Sequence, residues 1–101
     1  MTTLQQPMPI TPGSKKDIYW DWTDWLEGDG IASKAVVCTD PLVETSESVV
    51  GAVVTAWVEV PEATPLGAEL VAACTVTTDT TPPRVETRHF LLRVTRLGAG
   101  G

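Results

Sequence analysis

The chain has 101 residues, a formal net charge of −6 from 13 acidic and seven basic side chains, 43% hydrophobic residues, eight glycines and eight prolines. That length makes a single domain able to withdraw roughly 60–70% of its unfolded surface from water. The acidic balance disfavours direct nucleic-acid binding, which needs clustered positive charge, and no apolar run approaches the about 20 residues of a membrane-spanning helix.

Residues 1–16 read as an extended N-terminal arm. Pro7, Pro9 and Pro12 at near-alternate positions forbid helix and favour a polyproline-like path. Gly13-Ser14 and Lys15-Lys16 follow. Such an arm is expected to be ordered by docking on a neighbouring molecule, with Pro7, Pro9, Pro12, Lys15 and Lys16 as candidate contact residues. Met1–Gln6 lacks the basic and apolar regions of a secretory leader, so the chain is expected to stay where it is made unless something larger carries it.

Asp17 to Trp22 alternates as a first strand, with Ile18, Trp20 and Trp22 on one face. Thr23 or Asp24 is expected to cap one helical turn over Trp25-Leu26-Glu27, and Gly28 to end it in the left-handed region. Asp29-Gly30 leads into a second strand, Ile31 to Thr39, with Ile31, Ala35 and Val37 inward, broken by Asp40-Pro41. A weaker strand spans Leu42 to Ser48. Ala52 to Val60 is the strongest apolar segment, with Val54, Ala56, Val58 and Val60 facing one way and Val53, Thr55 and Trp57 the other. Both faces read as part-buried, so Val53 and Trp57 are candidate interface residues. Trp22 is expected in the core, whereas Trp57 fits core or interface.

A proline-containing loop precedes the strand Glu69 to Thr78, with Leu70, Ala72, Cys74 and Val76 inward. Val85 to Leu97 forms the last strand, with Phe90, Leu92 and Val94 inward. The spacing predicts an all-β, immunoglobulin-like antiparallel sandwich of about six or seven strands over residues 17–97, followed by a Gly-rich tail at 98–101. A small barrel is the alternative.

Little points to chemistry. Asp21, Asp24, Glu27 and Asp29 surround a glycine turn, which calcium would suit, but no EF-hand spacing follows. Capping and solvated charge explain them more simply. Cys38, Cys74 and His89 are too few for a closed zinc site. The two cysteines fit either one inter-sheet disulfide or two buried thiols. No nucleophile elbow, phosphate loop or metalloprotease motif is present. No catalytic residue, metal or cofactor is assigned, and an enzyme is not expected.

Trp20-Asp21-Trp22-Thr23-Asp24-Trp25-Leu26-Glu27-Gly28-Asp29, followed by Ile31, resembles the "D-W-s-x-W-L-x-x-D-x-I" opening of the phage fibre–tail adaptor proteins. Trp20, Asp21, Trp22, Asp24, Trp25, Leu26, Gly28, Asp29 and Ile31 carry the signature. The Val-rich strand ending in Trp57-Val58, Gly67, and Cys74-Thr75-Val76-Thr77-Thr78 extend it over roughly residues 17–97. Departures include Glu59-Val60-Pro61 where a Gly-Gly pair is usual, Leu70 in place of a tyrosine, and Pro82-Pro83-Arg84 in place of a Gly-Arg turn. The resemblance implies a virion structural protein of a tailed bacteriophage, made in the host cytoplasm. It would contact other virion proteins and copies of itself in a ring or symmetric array, with no small-molecule substrate. A capsid decoration protein and a secreted immunoglobulin-like carbohydrate or adhesion domain are the alternatives.

Overall fold

The computed structural model describes residues 7–96. Within them, seven strands and one helical turn follow in order: β1 (Met8–Ile10), β2 (Lys15–Asp21), α1 (Thr23–Leu26), β3 (Ile31–Cys38), β4 (Val43–Val50), β5 (Val53–Glu59), β6 (Glu69–Thr78) and β7 (Val85–Val94). They form a four-stranded sheet, β1-β7-β6-β3, packed on a three-stranded sheet, β2-β5-β4. The β2-β5-β4 and β7-β6-β3 orders match the B-E-D and G-F-C sheets of an immunoglobulin sandwich. Here β1 lies parallel to β7 rather than joining the B-E-D sheet.

Strict two-residue alternation builds the core. Ile18, Trp20 and Trp22, then Val54, Ala56, Val58 and Val60, meet Leu70, Ala72, Cys74, Val76, Leu92 and Val94 between the sheets. Each fully buried aliphatic side chain contributes about 1.5–3 kcal/mol of transfer free energy. Trp20 meets Phe90 edge-on, with ring centres 6.1 Å apart. β4 and β5 are joined by a two-residue turn, Val50 pairing with Val53. Gly51 takes φ +58° there, the first-position conformation of a type II′ hairpin turn that glycine supplies at no steric cost.

Several expectations are corrected. Met8–Ile10 of the expected arm forms a strand of the sandwich. It pairs with the chain's own β7, Ile10 is 3% exposed in the core, and Lys15 and Lys16 begin β2. The first strand accordingly runs Lys15–Asp21 rather than Asp17–Trp22. The remaining arm residues, 1–6, and the tail 98–101 lie outside the described residues, as does Leu97. In β3 the facing is inverted. Lys34, Val36 and Cys38 turn inward while Ala35 and Val37 are exposed, because a bulge between Ile31 and Ser33 adds a residue and reverses the parity beyond it. β4 continues through Val50, with a second bulge between Glu44 and Ser46. Helix α1 begins at Thr23 with Trp22 at its N-cap and no side-chain cap bond. Asp21 accepts instead from the Thr23 backbone N–H and hydroxyl.

Candidate interaction surfaces

The Asp21–Ile31 signature folds as a corner closed by two arginines from the far end of the chain. Trp22 is fully buried and meets Trp25 at 5.2 Å between ring centres. Glu27 and Gly28 both adopt positive φ, 52° and 92°, turning the chain out of α1. Arg84, just ahead of β7, donates to the carbonyls of Trp25 (2.9 Å) and Leu26 (3.1 Å) and to Asp29 Oδ2 (2.9 Å). Both carbonyls lie at the end of the helical turn; that of Leu26 also accepts the Asp29 N–H at 3.0 Å, so Arg84 matters most for the Trp25 carbonyl, which no backbone N–H reaches. Arg88 lies 4.4 Å over the Trp22 ring and reaches the Asp21 carbonyl at 3.4 Å.

The four carboxylates therefore do not converge. Asp29 is bound to Arg84, and the Thr23 hydroxyl and N–H hold the Asp21 carboxyl below its ordinary range. Asp24 and Glu27 are exposed. Among the described residues, no three potential metal ligands gather. Gly30 completes the corner, since a β-carbon there would strike the Asp79 carboxylate, which accepts the Gly30 N–H at 3.2 Å.

The cysteines lie on adjacent strands of one sheet rather than facing across the sandwich. Cys38 pairs with Ala72 and Cys74 with Val36, and both thiols are free. Burial pushes Cys74 up to about 11 and raises Cys38, so neither supplies a ready thiolate. His89 is exposed on β7.

The candidate interface residues fall into two places. Pro9, Lys15 and Lys16 line a groove of about 240 Å³ with Ile10, Ser14 and Thr95, where β1 passes into β2. Neither lysine joins an ion pair among the described residues, whereas Lys34, Arg84, Arg88 and Arg93 all do. Pro7 and Pro12 are half-buried nearby in the chain. Val53 and Trp57 lie on the outer face of the three-stranded sheet, in the rows Asp21–Val53–Val50 and Asp17–Trp57–Ser46. Trp57 is 40% exposed, Tyr19 61% and Val50 75%. Sequence reasoning did not single out Tyr19 as an interface residue, although its place opposite Ile18 and Trp20 marked it as outward.

The open side between β3 and β4 is closed by charge. Lys34 pairs with Glu47 at 2.5 Å. Burial, then the neighbouring Glu47, pushes Glu44 up to about 7, while Lys34 holds Glu47 low.

A two-sheet module with a tryptophan–arginine corner and exposed aromatic residues on one outer face belongs to the class of immunoglobulin-like structural domains. The family model of the podophage GP4 fiber-tail adaptor protein gp77 matches residues 11–93. The chain belongs to that family of phage fibre–tail adaptors. Comparison with curated proteins gave no match.

Proposed function

We propose that this chain is a non-catalytic connector of the virion, made in the bacterial cytoplasm and present in symmetric copies that join a fibre or neck component to the tail. The observation that carries the reading is the outer face of β2-β5-β4. There Trp57 and Tyr19 stand exposed among Val50 and Val53, and a charged rim of Lys15, Asp17, Asp21 and Glu59 surrounds them. Exposed aromatic residues inside a polar rim are the composition of a protein docking site. The lysine-lined groove beside β1 supplies a second contact, suited to a carboxylate-bearing partner surface. Membership in the fibre–tail adaptor family supports a place on the tail over one on the capsid or a secreted role.

Phage particles assembled with Trp57→Ala test this. Loss of the chain from purified particles, with the melting temperature of the isolated variant unchanged, is the expected result. Normal incorporation of a folded Trp57→Ala chain would remove this face from the docking contact.

A further inference from the structure

The outward face of the four-stranded sheet carries one mutually paired couple, Glu69 and Arg93 at 2.6 Å, at one end, and is uncharged beyond it. Along Ser33–Val37 of β3, Val71–Thr77 of β6 and Val85–Leu91 of β7, none of the outward positions is an acid, a lysine or an arginine. Its central rows are Ala35–Thr75–Thr87 and Val37–Ala73–His89. The opposite face of the sandwich carries Lys15, Asp17, Asp21 and Glu59 in comparable positions.

The polar atoms of the neutral face are already partly occupied. Thr75 and Thr87 share a hydroxyl–hydroxyl bond of 2.7 Å, and Thr39, at its border, donates to the Val71 carbonyl at 3.1 Å. Covering hydroxyls that hold internal partners forfeits less hydrogen bonding to water than covering free ones. The central side chains are mostly small, which lets a second sheet approach to about 10 Å.

We infer that this face pairs with the same face of a second copy, sheet against sheet about a two-fold axis. Charge selects the occupant. Each copy carries −6, so contact through most of its surface would set carboxylate against carboxylate, at a cost of several kcal/mol. The neutral face lets two identical chains meet without that apposition, and a two-fold contact requires a surface compatible with itself. Its size sets the strength. Three strands about 4.8 Å apart, running about 17 Å in β3 and about 23 Å in β6 and β7, make a plate on the order of 300 Å². A stable complex covers about 800 Å² per partner. The pairing is therefore weak in dilute solution and becomes populated where an assembly holds copies close together. This inference rests on the multi-copy part of the connector reading and names the surface that copies share.

Concentration-dependent amide shifts of the full chain, followed by NMR up to about 1 mM, test it. Shifts are expected at Ala35, Val37, Ala73, Thr75 and Thr87, with none at Tyr19 or Trp57. Val37→Glu, at a site 67% exposed, is expected to weaken the pairing about tenfold or more by burying an unpaired charge. Val50→Glu adds the same charge on the other sheet and is expected to leave it unchanged. Absence of any concentration dependence, shifts confined to the Trp57 face, or equal effects of the two variants would overturn the inference. Particle incorporation of Trp57→Ala decides the docking contact separately, so a chain that incorporates through Trp57 yet never self-associates sinks only this pairing.

Discussion

Arg84 lies with its guanidinium carbon 4.7 Å from the centre of the Trp25 ring while donating to the Trp25 carbonyl. One side chain thus holds both the ring and the backbone of the same residue, 59 positions away in the chain. Planarity and a five-donor fork make this work suited to arginine rather than lysine.

Replacing Arg84 by alanine is expected to lower stability by about 2 kcal/mol, because the Trp25 carbonyl is left without a partner and the ring contact is lost with it. Arg84→Lys should recover only a small part, having one compact donor head. Asp29→Asn should cost under about 1 kcal/mol, since the ion pair is half-exposed. Urea midpoints of the three variants check this order, and an Asp29→Asn loss as large as that of Arg84→Ala would show that the ion pair rather than the carbonyl contacts dominates.

Ile10 makes the N-terminal strand part of the folding unit. Ile10→Ala is expected to destabilise by about 2–3 kcal/mol through the vacated core volume, read as a drop in melting temperature on the order of 10 °C for a domain of this size. A melting temperature within a degree of the parent would mean that β1 contributes nothing to cooperative folding.

The carboxylate pair at the β3–β4 edge makes stability depend on pH. Glu44 has its folded pKa raised from 4.5 to about 7. Its contribution is fully present below about 4.5 and is lost as pH rises through about 7, because the folded state binds the proton more tightly than the unfolded chain does. Glu47 acts oppositely: its lowered pKa stabilises above the ordinary carboxyl range and that benefit fades on acidification. Glu44→Gln mimics the protonated carboxyl. Its melting temperature should match the parent near pH 4 and exceed it near pH 8. An identical pH profile for the two proteins would show that Glu44 titrates normally.

How much of this was legible in the chain depended on whether alternation ran unbroken. β5 and β6 keep strict parity from end to end, so the inward sets Val54–Val60 and Leu70–Val76 could be read directly. In β3, Ile31, Ala35 and Val37 share one parity in the sequence but not in space, since the bulge after Ile31 lies in a stretch with no glycine or proline to mark it. β1 was hidden within the arm for a different reason. Proline at position 9 reads as a break, but only alternate residues of an edge strand need a donor facing the sheet. The role of Arg84 was invisible to local pattern because its partners lie nearly 60 residues upstream. Only the family turn ending in arginine drew attention to that position.

β1 has one last consequence. Thr95 donates to the Ile10 carbonyl at 2.8 Å, so Ile10 and Met8 direct their polar groups to β7, and Pro9 occupies the position whose nitrogen faces outward. A free N–H there would invite another chain to extend the sheet. Proline has none to offer, and the strand is only three residues long. Along this margin the sheet has a terminus that does not template its own continuation. Wherever such chains are brought close together, that edge favours discrete contacts over a sheet that grows from one chain into the next.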